Sequence, residues 1–406
     1  MYLECTECNK HYDVNQAIYR CLDHNYPLLV KYDYEKIATS INKYTFENRP
    51  WNLWRYKEVL PIKNKSNIVS LGEGGTVLIR SKHLAKKLGL KELYLKDETR
   101  NPTWSFKDRG SSVGVSVAKE LGLKAVGCVS SGNMAASMAT YSAQAGLKGI
   151  IIIRSGVPKE KIIHVLVCGS EVIGINKPYP EVNKMGLDIS EKYGVYWVHN
   201  DAPMRIEGQK TSSLEIWEQL GHQIPDKILV PTSSGGNMSG HWKGWEDLYN
   251  LKLIDKLPSM VAVQNAAAQP IYNSFIECKT DVTPVIEKPT IAVSICNPDP
   301  PSGKRILKLL KNSDGLAERV DDNDMLNAQK VLGETEGIFS EPGGASSIAA
   351  LIKLVEKGDI DKDESIVCII SGAGIKDVKS ASKMAGSPKN ISTQSELENV
   401  VESILN

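Results

Sequence analysis

The chain has 406 residues, 41% of them hydrophobic and 24% charged, with 49 basic against 48 acidic side chains and a net charge of +1. That length accommodates two domains or more around a large core. The balanced charge gives no electrostatic basis for binding nucleic acid or an anionic membrane, and no apolar run approaches the ~20 residues needed to span a bilayer.

The opening Met1-Tyr-Leu-Glu-Cys5 lacks the pattern of a signal peptide. Eight scattered cysteines read as reduced thiols, so a soluble cytoplasmic protein is expected. Residues 1–34 are rich in Cys and Tyr and are expected to form short strands. Within them Cys5-x2-Cys8-x12-Cys21-x2-His24 has the spacing of a two-knuckle zinc ribbon with histidine in the fourth place. Three cysteines and a histidine are an accepted tetrahedral set for structural zinc. A ribbon that folds without metal would leave the same outline, because Asp23 and Asn25 replace the usual knuckle residues. Cys128, Cys168, Cys278, Cys296 and Cys368 lie in apolar stretches and read as small core residues.

After a polar, aromatic stretch to about residue 70, short β-branched runs alternate with helical patterns. Ala125-Val129, Gly149-Ile153, Lys227-Val230, Met260-Val263 and Ser365-Ile370 are continuous apolar runs. Such runs between amphipathic helices predict a mainly parallel α/β sheet covered on both faces. In such sheets ligands collect beyond the carboxyl ends of strands, and the distinctive segments fall there. Lys107 follows the strand-like Glu92-Lys96 and the breaker Asn101-Pro102, and precedes a helix expected over Ser111–Leu121, with Ser105 placed to cap it. A lysine at a helix start beside Phe106 is where desolvation and the helix dipole lower an amine pKa, the state needed for Schiff-base chemistry. Ser130-Ser131-Gly132-Asn133 and Ser233-Ser234-Gly235-Gly236-Asn237 each follow a strand and open a helix, a setting suited to anions. Each is, taken singly, also an ordinary turn.

Asn101-Pro-Thr-Trp-Ser-Phe-Lys-Asp-Arg-Gly110 resembles the pyridoxal-phosphate lysine segment of the threonine synthase family, within the tryptophan-synthase-β-like enzymes. Trp104 stands where that family usually has glycine. Leu71-Thr76, Arg205-Thr211, Glu336-Pro342 and, more loosely, Ile295-Pro298 extend the resemblance over roughly residues 1–380. Ser371-Gly-Ala-Gly-Ile-Lys-Asp377 is similar to the family's last motif, with Ala373 in place of histidine.

The resemblance implies a two-lobed α/β fold of mainly parallel twisted sheets (pyridoxal-phosphate fold type II). A large cofactor-binding lobe would span residues 35–104 and 205–406, and a small mobile lobe 105–204. It implies pyridoxal 5′-phosphate held by Phe106, Lys107, Asn133, Ser233 to Asn237 and Ser371, with Lys107 as covalent anchor and general base. Asn133 would face the ring's 3′-oxygen, Ser371 its nitrogen, and the Ser233-Asn237 turn its phosphate. Ser130, Ser131, Asn133 and Arg205 would bind an amino-acid phosphate substrate, Arg205 as a bidentate phosphate clamp. A surface ion pair with Glu207 or a neighbour is the plain alternative for Arg205. The implied reaction is conversion of O-phospho-L-homoserine to threonine by a homodimer. Archaeal and some bacterial members resemble the N-terminal ribbon as well. Met134, Ala373 and His199-Met204 depart from the family pattern, with Asp201 a carboxylate beside an expected phosphate. These departures admit a paralogue that replaces the phosphate of O-phosphoserine, or a serine/threonine dehydratase. A non-catalytic protein on the same scaffold would not need Lys107.

Overall fold

A computed structural model describes residues 1–177, 179–200 and 202–405. Thirteen strands are found among them: β1 (Tyr2–Cys5), β2 (His11–Tyr12), β3 (Leu28–Lys31), β4 (Leu78–Arg80), β5 (Glu92–Asp97), β6 (Ala125–Val129), β7 (Lys148–Arg154), β8 (Glu171–Ile175), β9 (Val195–Trp197), β10 (Lys227–Pro231), β11 (Ser259–Asn265), β12 (Leu316–Val320) and β13 (Ser365–Ile370). They form three sheets. The N-terminal sheet is antiparallel, in the order β2-β1-β3. A six-stranded sheet runs β12-β11-β10-β13-β5-β4 and is parallel except for the edge pair β4–β5. A parallel four-stranded sheet runs β8-β7-β6-β9.

The continuous apolar runs have their expected cause. Along β13, Ile366, Cys368 and Ile370 enter one core while Val367 and Ile369 enter another, so the strand is buried on both faces. The smaller sheet repeats this, with Val126 and Cys128 on one side and Val129 on the other. Burying a side chain of this size contributes roughly 1.5–3 kcal/mol. Gly127 on β6 is required by close approach, since a Cβ there would lie 2.2 Å from the Trp197 ring. Among the described residues no helix is long and apolar enough to cross a membrane.

Two local expectations are corrected. The Lys107 helix spans Lys107–Glu120, four residues earlier than expected, and its N-cap is Phe106 with no side-chain bond. Ser105 does not cap it; instead Asp108 accepts from the Thr103 amide and hydroxyl, both at 2.6 Å, and from Ser137 Oγ at 2.6 Å. Cys278 is exposed rather than in the core: it sits just past the helix Pro270–Ile276 with a left-handed φ of 52°, the conformation in which chains commonly leave a helix. Cys128 and Cys368 are buried, whereas Cys168 and Cys296 are half-buried.

Candidate active site

The loop carrying Lys107 is stitched to the loop after β13. Phe106 N–H donates to the Ser371 carbonyl at 3.1 Å, and Ala373 N–H donates to the Trp104 carbonyl at 3.0 Å. Trp104 and Ala373, two departures from the family pattern, are therefore direct backbone neighbours. Trp104 keeps a left-handed φ of 63°, which glycine adopts without strain. The Lys107 amine lies 4.2 Å from the Phe106 ring centre. Burial, followed by the nearby Arg205 guanidinium, holds its pKa well below that of an ordinary lysine, and Glu341 opposes this only partly. A shift in this direction favours the neutral, nucleophilic form of the amine.

Asn133 begins the helix Asn133–Ala145 just beyond β6. Its Nδ2 donates to Glu341 Oε1 at 2.9 Å, and the Glu341 amide donates to the Gly372 carbonyl at 3.0 Å. These bonds bring the Ser130-Asn133 turn, Ser371 and Lys107 into one region. Ser130 Oγ accepts from the Gly132 amide at 3.2 Å, and Ser131 is half-buried in the same turn.

The Ser233-Asn237 turn follows β10 and opens the fifteen-residue helix Gly236–Asn250. Gly235 has φ +91°, and a Cβ there would meet Ser302 Cβ at 2.7 Å, so backbone and space both demand glycine. Ser234 Oγ accepts from Asn200 Nδ2 at 2.9 Å and from Asn297 Nδ2 at 2.5 Å, which leaves its own proton to donate. Asn237 Nδ2 is buried and finds no hydrogen-bond partner among the described residues. An orphan donor beside free helix amides is a cradle for an anion.

Arg205 ties this cradle to the lysine. It is buried in the helix Pro203–Gln209, and its Nη1 donates to the His199 carbonyl at 3.0 Å and to Asn200 Oδ1 at 3.3 Å. Its Cγ would lie 2.5 Å from a Cβ on Gly110, one turn along the Lys107 helix. Glu207, the alternative partner, instead binds Tyr32 and Lys210. Asp201 lies outside the described residues.

Pyridoxal phosphate fits these groups: a desolvated amine, a glycine turn at a helix start and an unsatisfied donor in that turn. Three side chains beyond the predicted set belong here. Glu341 is buried against Asn133; Asn200 and Asn297 hold Ser234. Glu341 and Asn297 lay in segments already singled out by resemblance, but a sequence does not show which carboxylate or amide turns inward. The Lys376 amine is buried without a hydrogen-bond partner among the described residues, close enough for Asp108 and Glu341 to act on its charge.

Far along the chain from these loops, Cys5, Cys8 and Cys21 bring their sulfurs within 4.8 Å of one another. Cys8 and Cys21 are 3.8 Å apart, close to the ~3.8 Å edge of a tetrahedron with metal–sulfur bonds of ~2.3 Å. His24 Nδ1 lies 3.7 Å from Cys21 Sγ, and His24 groups with Cys21 and Asp23 rather than with all three thiols. Tyr12 Oη is 3.1 Å from Cys21 Sγ.

The profile of the pyridoxal-phosphate dependent enzymes matches residues 69–372. A threonine synthase of Methanocaldococcus jannaschii is 42% identical over 392 residues, 96% of each chain. A threonine synthase of Methanosarcina acetivorans is 36% identical and covers 93% of this chain and 92% of its own. Among solved structures, maize serine racemase superimposes with a TM-score of 0.65 at 25% identity, over 76% of this chain and 91% of that one. Threonine deaminase isoform 2 of Solanum lycopersicum also reaches 0.65, at 24% identity, over 77% and 83% of the two chains, and shares the fold. With the lysine loop, the anion cradle and this breadth of likeness together, the chain belongs to the threonine synthase family of pyridoxal-phosphate dependent enzymes.

Proposed function

We propose that this enzyme converts O-phospho-L-homoserine and water to L-threonine and phosphate. The observation that carries the reading is the buried Arg205, tied through Gly110 to the Lys107 helix and through Asn200 to the Ser233-Asn237 turn. A dehydratase acting on a free hydroxyl would have no use for a guanidinium there. Relatives named threonine synthase, alike over nearly the whole chain, support the same reaction.

Pyridoxal phosphate supplies an electron sink for the substrate's α-carbon when bound. Lys107 would hold it covalently, and the lowered pKa of Nζ suits that amine to take the substrate's α-proton and return protons further along the chain. Ser234 Oγ, Asn237 Nδ2 and the Gly235-Gly236 amides would hold the cofactor phosphate. Ser371, whose carbonyl accepts from Phe106, would offer a neutral hydroxyl to the ring nitrogen, and Asn133, held by Glu341, would serve the 3′-oxygen. The Ser130-Ser131 turn takes the substrate carboxylate. Arg205 takes its phosphate as a planar, permanently charged donor. Closure of residues 105–204 as a small lobe against 35–104 and 205–406 would exclude water from the site.

The same proposal includes a structural zinc held by Cys5, Cys8 and Cys21 with His24 as the fourth ligand, a homodimeric assembly and a cytoplasmic location. The spacing of the sulfurs supports the first; the other two rest on the resemblance and are open to sedimentation and fractionation.

The deciding experiment incubates purified enzyme with O-phospho-L-homoserine and follows phosphate release and threonine formation together. Both are expected in equal amounts. Phosphate release from O-phospho-L-serine, with no threonine from the homoserine ester, would overturn the assignment in favour of a paralogous replacement enzyme.

A further inference from the structure

β9 is the edge of its sheet: it pairs with β6 on one side, leaving an open row of backbone groups on the other. At the end of that row the Trp197 amide donates to Tyr19 Oη at 2.8 Å. The same oxygen accepts from Ser190 Oγ at 3.1 Å. The Tyr19 ring meets the His199 ring edge-on, with centres 5.2 Å apart. The next step leads to the substrate arginine, because the His199 carbonyl accepts from Arg205 Nη1 at 3.0 Å. The segment is also held from its far side. Tyr32 Oη donates at 2.6 Å to Glu207, two residues beyond Arg205.

Both tyrosines come from the N-terminal sheet and its loop. Tyr19 stands two positions before Cys21, and Tyr32 follows β3. Resting on the zinc reading given above, we propose that Tyr19 is a positioning residue for Arg205. A zinc-class divalent ion on Cys5, Cys8 and Cys21 fixes the loop from which Tyr19 reaches β9. Trp197 is suited to relay this, because its indole is packed between Gly127 and Gly186, where a Cβ at either would lie 2.2 Å from the ring. A shift of Tyr19 therefore moves backbone at Trp197 and His199 rather than a loose side chain. The metal site would act on substrate binding without touching substrate.

The test uses the full-length holoenzyme and three readouts: zinc content by elemental analysis, amide hydrogen exchange over residues 197–205, and KM against kcat for O-phospho-L-homoserine. Tyr19→Phe keeps the ring and removes the acceptor. It is expected to raise KM about tenfold with kcat within about twofold, to speed exchange across 197–205, and to leave zinc unchanged. Cys8→Ser, at an exposed ligand, is expected to lose zinc and reproduce the same exchange and KM changes, with no further change in the double variant. Wild-type-like exchange and KM in Tyr19→Phe would overturn the proposal. So would a zinc-free Cys8→Ser protein whose 197–205 amides exchange as in the wild type, or wild-type protein that takes up no zinc. Equal losses of kcat, cofactor absorbance and substrate binding in Tyr19→Phe would mark a general folding role and also overturn it. If the wild type does not turn over the homoserine ester, the reaction assignment fails, while zinc content and exchange still decide the role of Tyr19.

Discussion

Lys107 and Lys243 are both lysines whose amines are taken out of water, and they are driven in opposite directions. Lys243, on the helix Gly236–Asn250, donates to Asp247 and to Tyr34 Oη at 2.8 Å. Burial disfavours its charge, but Asp247 and neighbouring acidic groups outweigh this and hold its pKa well above the ordinary value. Asp247 also pairs with Lys210 at 2.5 Å, and Lys210 with Glu207, so the region is a closed ionic network. Lys107 has no carboxylate hydrogen-bonded to it among the described residues; the closest acid by influence, Glu341, spends its bond on Asn133. Desolvation therefore wins at Lys107 and loses at Lys243. Burial sets the stakes, and the bonded partner decides whether a lysine is a strut or a nucleophile.

The largest effect is expected at the nucleophile. Lys107→Ala should lower turnover by at least about 10³-fold and abolish the absorbance of the covalently held cofactor. Because no ion pair is lost, the variant should unfold at or above the wild-type midpoint in denaturant when both are stripped of cofactor, whose binding would otherwise stabilise the wild type alone. A variant that turned over normally would remove Lys107 from the chemistry. One that unfolded far more easily would show Lys107 to be a strut like Lys243.

Asp247→Asn should do the reverse. It leaves Lys210 and Lys243 buried with one carboxylate fewer, and breaking such a pair costs about 3–5 kcal/mol. Denaturant unfolding should show that loss while the cofactor absorbance at saturating cofactor is retained. A change below about 1 kcal/mol, the range of exposed pairs, would mean that water already reaches the network.

The Lys107 half of this contrast is legible in the sequence, the Lys243 half is not, and the limits are physical. The parallel sheets were legible because strands buried on both faces must be apolar throughout, as β10 and β13 are. Lys107, Asn133, Ser234 and Ser371 stand out as candidates because each sits in a short motif following a strand. The helix starts four residues before the expected Ser111 because it needs no side-chain cap: Phe106 precedes it without one, and Asp108 is used by Thr103 and Ser137. Glu341 was missed as a site residue because its partner, Asn133, is 208 positions away. The Tyr19–Trp197 contact has no local signature either: a tyrosine near a cysteine looks the same whether its hydroxyl faces solvent or an edge strand.

The smallest expected effect is a pH dependence that separates the two kinds of buried base. His241, on the same helix as Lys243, is 1% exposed, and its Nδ1 lies 3.0 Å from Ser213 Oγ. Burial, with Glu98 raising its pKa and Arg109 and Lys96 lowering it, pushes the imidazole down to about 4 from an ordinary 6.5. Between those values the unfolded chain binds a proton that the folded chain refuses. Its contribution is thus complete above pH 6.5 and is lost as pH falls towards 4, amounting to at most about 3 kcal/mol. Lys107 is depressed in the same sense against a much higher reference, so its share of stability is complete only above the ordinary lysine value and is lost as pH falls through its lowered one; being common to the His241 variant and the wild type, it drops out of their difference. Glu98, whose burial would raise it but whose pairing with Arg109 outweighs this and brings it down to about 2, loses its contribution mainly below pH 4.5. Replacing His241 with Asn should therefore flatten the stability profile chiefly between pH 6.5 and 4.5, measured by denaturant unfolding at fixed ionic strength. Parallel profiles for variant and wild type across that interval would mean that the folded protein already accommodates the imidazolium, and that the cations Arg109 and Lys96 are better screened by Glu98 and Glu215 than their closeness to His241 suggests.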